Sequence, residues 1–343
     1  MQISISPCAP PEWDDFVDRQ PQATAYHRAA AVEIGRQAFG LETFYLLARD
    51  PAGKLCGVLP LVEQSSVLFG RFLSSVPFFT YGGILSEDHE VAAALARAAG
   101  ELGRQRRAKH VELRHSAPLS HVSLADRTDK VSMILQLPAD ESALSKQLGS
   151  KLRSQIKRAE REEPTIHWGG ADLLADFYRV FTHAMHDLGT PVYSRHFFDC
   201  ALSAMRGAID VLVIKVRGRA EAAAIIVRHG DRIEVPWAAC SPAGKRGALN
   251  MRMYWEMLRL AVSRGARAFD FGRSTVDSGT YRFKSQWGAQ PLQLHWYYWL
   301  PEGADIPRLN QSNPKYEYAA KIWRRMPLWS ANLIGPWLVR NLP

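Results

Sequence analysis

Phe269-Asp270-Phe271-Gly272-Arg273-Ser274 opens as a short apolar strand and ends in a Gly-Arg-Ser turn. A Ser278-Gly279-Thr280 loop, flexible by composition, leads into Tyr281-Arg282-Phe283-Lys284 and then Trp287-Gly288. A strand end that brings fixed positive charge beside aromatic faces suits an anionic, ring-bearing ligand, or an oxyanion developing during a reaction. The same residues also read as a buried strand followed by an ordinary basic loop.

Working outward, the strand at Ala268–Phe271 is preceded by a helix over about Asn250 to Arg264, stopped by Gly265. Before that helix lie three strand signals: Asp210 to Val216, Ala222 to Arg228 after an Arg217-Gly218-Arg219 turn, and Ile233 to Ala239. The same order occurs earlier in the chain. Phe44 to Arg49 and Leu55 to Val62 flank an Asp50-Pro51-Ala52-Gly53 turn, and Ser66 to Val76 reads as a third strand. A helix over about Glu90 to Arg107 has Val91, Ala94, Leu95, Ala98 and Leu102 on one face, and His110 to Arg114 makes the next strand. This recurrence predicts an internal duplication of an α/β unit.

The boundary is expected near Pro138. Val131 to Leu137 alternates like a strand, and Asp140 is placed to cap a helix over about Glu141 to Glu162. On that helix Leu144, Leu148, Leu152 and Ile156 form a stripe, with Lys146, Lys151, Arg153, Lys157, Arg158 and Arg161 on the other faces. It reads either as a solvated linker or as an anion-binding helix. The expected organisation is a first domain over 1–138, a second over 139–300 and a Trp-rich basic tail over 301–343. In the tail Trp323, Trp329 and Trp337 sit among aliphatic residues and cations, and Pro327 and Pro336 are expected to break it into short pieces. Such a composition suits a membrane interface and equally a segment packed on the folded body.

Composition narrows the partners. The 343 residues are 47% hydrophobic and carry a net charge of +9, which points to anionic partners such as RNA, nucleotide phosphates or an acidic membrane surface. Cys8, Cys56, Cys200 and Cys240 are scattered, with no Cys-x-x-Cys pair, and read as small core residues of a reducing compartment. No apolar run approaches the roughly 20 residues that span a bilayer. With no signal-peptide pattern after Met1, a cytoplasmic protein is expected. His183 and His186 lack partners at metal spacing, and neither a nucleophile elbow nor a Walker loop or dinucleotide fingerprint occurs, so no metal is expected. Gly244-Lys245-Arg246-Gly247 is the one phosphate-friendly turn, with two cations before a helix.

The order of elements resembles tandem acyltransferase domains of the GNAT type, an α/β fold of mixed central sheets flanked by helices. With that order, the quoted motif resembles the C-terminal signature of FemAB-like proteins, closest to the subgroup associated with exosortase/PEP-CTERM and exopolysaccharide gene clusters. Thr190-Pro191-Val192-Tyr193 and the basic helix with Lys151, Arg153 and Arg158 fit the same pattern. The resemblance implies a transferase that moves an aminoacyl or acyl group onto an amine, the donor arriving as aminoacyl-tRNA or acyl-CoA with no permanently bound cofactor. The acceptor it implies is an anionic cell-envelope precursor, of peptidoglycan or exopolysaccharide, with tRNA a partner where it carries the donor.

It implies that the Phe283-Lys284 pair contributes to catalysis and donor recognition, that Arg36 stands near the place of a basic residue holding acceptor phosphates, and that Arg195 stands near the place of a further arginine. The mechanism expected on these residues has Lys284 as the catalytic cation, Phe283 and Tyr281 packing the donor, and Arg273 holding a phosphate or carboxylate. Lys245 and Arg246 are the two cations of the turn suited to a pyrophosphate. The sequence departs from the coenzyme A pattern at Gly244-x-x-Gly247-x-Leu249, and no long tRNA-handling hairpin is inserted. Two other readings stay open: a GNAT-type N-acyltransferase using acyl-CoA or acyl carrier protein, and a non-catalytic assembly protein whose tail contacts the inner membrane peripherally.

Overall fold

The computed structural model describes residues 1–66, 70–307 and 314–340, with the side chains of 314–317 excepted. The chain divides into two compact units. One comprises Met1–Val131, Leu292–Leu309 and Arg340–Pro343; the other comprises Ser132–Pro291 and Asn310–Val339.

The first unit contains β1 (Gln2–Ser6), α1 (Trp13–Arg19), α2 (Ala29–Phe39), β2 (Glu42–Arg49), β3 (Leu55–Ser66), β4 (Gly70–Ser74), β5 (Leu85–Ser86), α3 (His89–Gln105), β6 (Val111–His115) and β7 (Ala125–Arg127). The second sheet opens with β8 (Lys130–Gln136), followed by α4 (Glu141–Gln147), α5 (Ser150–Ala159), β9 (Thr165–Gly169), α6 (Leu174–Leu188), α7 (Arg195–Ala204), β10 (Ile209–Val216), β11 (Arg219–His229) and β12 (Arg232–Cys240). It continues through α8 (Pro242–Arg246), α9 (Leu249–Ser263), β13 (Ala268–Thr275), α10 (Gly279–Ser285) and β14 (Gln290–Gln293). The chain then forms β15 (His295–Trp299), α11 (Pro314–Arg325) and α12 (Leu328–Val339).

The expected duplication is explicit in the strand orders. The first sheet runs β1-β2-β3-β4-β6-β15-β7, with β5 beside β3; the second, read from its β9 edge, runs β9-β10-β11-β12-β13-β8-β14. Hairpins join β2 to β3 in the first sheet and β10 to β11 to β12 in the second. The β10–β11 hairpin turns on Arg217 and Gly218 at φ 50° and 76°, the paired left-handed residues that match the twist of the flanking strands. β4 pairs with β6 and β12 with β13 in parallel, and each such step needs a crossover, which α3 and α9 supply. The strand beside β6 is β15, from the C-terminal half of the sequence. The strand beside β13 is β8, which lies just ahead of the boundary read near Pro138.

Both cores follow from apolar periodicity. In the first unit Val91, Leu95, Ala99 and Leu102 of α3 cover Leu46, Leu59 and Leu61 of the sheet. The approach is close: a Cβ on Gly57 would lie 2.5 Å from Val91 Cγ1. In the second unit Phe177 and Phe181 of α6 meet Phe198 of α7, whose ring centroid lies 5.2 Å from that of Trp237 on β12.

Several local expectations are corrected. The helix expected over Glu141 to Glu162 breaks into α4 and α5, because Gly149 is extended (φ −62°, ψ 155°) and the Arg153 guanidinium satisfies the Leu148 and Ser145 carbonyls at the break. Asp140 does cap α4, its carboxylate accepting from Ala143 N at 2.8 Å. Residues 67–69 of the strand expected over Ser66 to Val76 lie outside the described residues. Pro336 lies inside α12 rather than ending it, and Cys8 is exposed rather than core. Parts of the tail, 308–313 and 341–343, also lie outside the described residues.

Candidate active site at the end of β13

The ladder between β12 and β13 consists of three pairs and ends at Glu234↔Asp270. Beyond it β13 does not turn away after Phe271 as expected; it continues to Thr275 through a kink at Gly272, whose φ of 77° a residue with a Cβ adopts only with strain. Asp270 builds that kink. It is fully buried, accepts from Gly272 N at 2.8 Å and Ser132 Oγ at 2.6 Å, and pairs with the Arg232 guanidinium.

The stretch after the kink was expected as a flexible loop. Instead Ser278 Oγ accepts from Tyr281 N at 3.1 Å and caps α10, which places Lys284 in its last turn. The Lys284 ammonium donates to Gly272 O at 2.8 Å and Arg273 O at 2.9 Å. Lys284 is 8% exposed, and burial lowers its pKa from 10.5 to about 8, against the attraction of Asp270 and Glu234. Two of its three N–H donors are taken by carbonyls, so one is left for a ligand.

Aromatic rings pack beside this charge. Phe283 meets Tyr254 of α9 at 5.1 Å between centroids, and Tyr254 stacks on Phe271 at 5.4 Å. Burial pushes the Tyr254 hydroxyl up to about 12. Trp287 Nε1 and Ser274 Oγ are buried and find no partner among the described residues, which is unusual for buried polar atoms outside binding sites. Tyr254, Asp270 and Ser132 escape sequence reasoning as site residues. The faint signals were the apolar company of Tyr254 and the isolated acid inside a buried strand.

Other expected residues lie elsewhere. Tyr281 is half-buried, one turn before Lys284 on α10, and the Arg273 side chain is exposed although its carbonyl holds Lys284. Lys245 and Arg246 are exposed on α8, between β12 and α9, and Arg195 is exposed at the first position of α7. Arg36 is exposed on α2 of the other unit and paired with Glu33. The α8–α9 turn is met by acids: a Cβ on Gly247 would lie 2.8 Å from Glu162 Cγ, and Glu160 pairs with Arg252 at 3.1 Å.

The corresponding place in the first unit is built differently. Past the two pairs of β4 and β6, Ser75 N donates to Glu112 O at 2.8 Å and Gly83 N to Arg114 O at 2.9 Å, so main chain bridges the strands. The side chains there form a buried ion pair, Arg114 with Glu112 at 2.6 Å, and Tyr298 donates to the same carboxylate. Burial would raise the Glu112 pKa, yet Arg114 and the Tyr298 hydroxyl hold it below the usual carboxylate range. Arg114 is further committed to the Phe79 carbonyl at 2.6 Å, whereas Lys284 keeps a donor to spare.

Two sheets of matching strand order, each with a parallel step crossed by a helix, define a tandem GNAT fold. Residues 146–285, which include Lys284, Asp270 and Tyr254, match the family described as acetyltransferase (GNAT) domain. The structure is similar to that of FemX, with a TM-score of 0.65 and 14% identity over 87% of this chain and 97% of that one. It is also similar to the C-terminal domain of a putative lysylphosphatidylglycerol synthetase from Agrobacterium fabrum (TM-score 0.57, 14% identity, 85% and 92% covered). A tandem GNAT protein from the clavulanic acid biosynthesis pathway gives a TM-score of 0.53 at 11% identity, with 89% and 100% covered. No curated protein sequence matches the chain significantly. Among the described residues no cluster of three or more His, Cys, Asp or Glu is placed to hold a metal, and no helix is long and apolar enough to cross a membrane.

Proposed function

We propose that this chain is a FemAB-like transferase that moves an aminoacyl or acyl group onto an amine of a cell-envelope or exopolysaccharide precursor, with Lys284 at the reaction centre. The observation that carries this reading is the Lys284 ammonium, fixed by the Gly272 and Arg273 carbonyls where β12 and β13 cease to pair, with one N–H uncommitted. An uncharged amine attacks the donor's carbonyl carbon, a C–N bond forms, and the carbonyl oxygen becomes an oxyanion. The third Lys284 N–H is suited to that oxygen, preorganised and largely desolvated. Collapse breaks the ester or thioester bond, and the proton lost by the amine is taken up by the leaving oxygen or sulfur. Asp270 is not the base, since its oxygens already receive Ser132, Gly272 N and Arg232.

Phe283 and Tyr281 pack the donor on this reading, and Arg273, with its exposed guanidinium, holds a phosphate or carboxylate. By the resemblance Arg36 is assigned to acceptor phosphates, and Arg195 to a further substrate-binding arginine of the second domain. An aminoacyl ester is favoured over a coenzyme A thioester because Glu162 stands against Gly247, where a pyrophosphate would meet a carboxylate. The second reading, acylation from acyl-CoA or acyl carrier protein, is favoured by the exposed Lys245 and Arg246 at that same turn. The test of the site is Lys284→Met in a turnover assay with mass-spectrometric detection of product: a loss of at least about 100-fold with the fold intact is expected, and unchanged turnover removes Lys284 from the mechanism. Thermal protection by aminoacyl-tRNA or by acyl-CoA separates the two donors.

A further inference from the structure

The last helix, α12, presents the reverse of an ordinary amphipathic pattern. In α12 the residues turned to the body are small: Ala331 is 3% exposed, and a Cβ on Gly335 would lie 3.2 Å from the Val192 main chain. Its large apolar residues are turned outward, with Trp329 72%, Leu333 73%, Ile334 40% and Trp337 57% exposed. Trp329, Leu333 and Trp337 follow at intervals of four and so share one stripe. No residue of α12 is charged. A helix apolar all round is stable in water only when both faces are covered. In α11 Trp323 is buried, while Ile322 is 47% exposed beside exposed Lys321, Arg324 and Arg325. The helices are nonetheless docked on the second unit, since His186 Nε2 bonds Met326 O at 2.9 Å and Ala320 approaches Gly189 closely. The inner face of these helices is thus packed on the body, and the outer face is the part to which the membrane reading of the tail applies.

We infer that the outer face of α11 and α12 docks on an anionic phospholipid surface, lying in the plane of the interface. The charge is complementary: from Tyr318 to Val339 there are three cations, Lys321, Arg324 and Arg325, and no acid. The stripe is tryptophan at both ends with leucine between, the composition of an interfacial helix. A helix of twelve residues is about 18 Å long at 1.5 Å per residue, too short for a hydrocarbon core of roughly 30 Å. The helix therefore lies on the bilayer and does not cross it. This inference is independent of the reaction assigned to Lys284.

The test uses the full chain and flotation with vesicles of phosphatidylcholine alone and of phosphatidylcholine with about one-third phosphatidylglycerol. Binding is expected to the second and to weaken with salt. The variant Trp329→Ser/Leu333→Asn should weaken it at least about tenfold, since each residue contributes well over a factor of ten when buried. Lys321→Gln/Arg324→Gln/Arg325→Gln should abolish the preference for phosphatidylglycerol. These positions are exposed, so the melting temperature should hold, and quenching of tryptophan fluorescence by brominated lipid should be lost in the Trp329→Ser variant. Absence of binding to phosphatidylglycerol vesicles, or binding that both variants leave unchanged, overturns the inference. So does a lipid-free dimer in light scattering that Leu333→Asn dissolves, because the face then belongs to a second copy of the chain.

Discussion

Lys284 carries a positive charge into a nearly dry site, and its titration is accessible to experiment. Its ammonium persists below about pH 8, so a reaction that needs the charge should lose rate as pH rises through about 8. The stability effect has the opposite direction. The folded pKa lies below the unfolded 10.5, so between about 8 and 10.5 the unfolded chain holds a proton that the folded chain has released, and this group's contribution to stability rises with pH across that window. Glu234→Gln removes one of the charges that favour the ammonium, and the falling limb of a pH–rate profile should move to lower pH. A limb that stays in place would mean that another group controls it. At this scale the residue types were legible, since Lys284 and Phe283 stand in a recognisable motif. The kink at Gly272 and the Asp270 network were not, because each depends on side chains from strands far apart in sequence.

Elements were read mostly from period and punctuation, and the exceptions have local causes. The Leu144, Leu148, Leu152 and Ile156 stripe is buried as expected, yet it runs through a break at Gly149, because apolar spacing places a face inward without requiring an unbroken helix. The Ser278-Gly279-Thr280 stretch looked like a loop because glycine follows the capping serine. Here the glycine is the first residue of α10, and the cap outweighs its poor propensity. Asp140→Ala should cost about 1 kcal/mol by loss of the α4 cap, measured by chemical denaturation. Gly57→Ala should cost more, about 1–3 kcal/mol, because the added methyl falls on Val91 and Leu95 of α3. A melting temperature for Gly57→Ala equal to the parent's would show that α3 can move away from the sheet.

For the whole molecule, each sheet is completed by a strand from the other half of the sequence. Residues 1–138 made alone lack β15, whose Trp296, Tyr297 and Tyr298 are buried against β6 and β7. That fragment should show no cooperative thermal transition by circular dichroism, and a sharp two-state melt would mean that β15 is dispensable. The sequence by itself determined the repeated order of strands and helices, the hairpin turns, the long crossover helices and the place of the basic aromatic motif, since all are written in short-range periodicity and turn chemistry. Only the tertiary structure decided that β8 lies beside β13 and β15 beside β6. It alone bridged the first unit's strands with main chain beside a buried ion pair, buried Lys284 between two carbonyls and turned the tryptophans of α12 outward. Those outcomes depend on contacts between residues far apart in the chain, and no local pattern specifies which distant partner a strand or a side chain will meet.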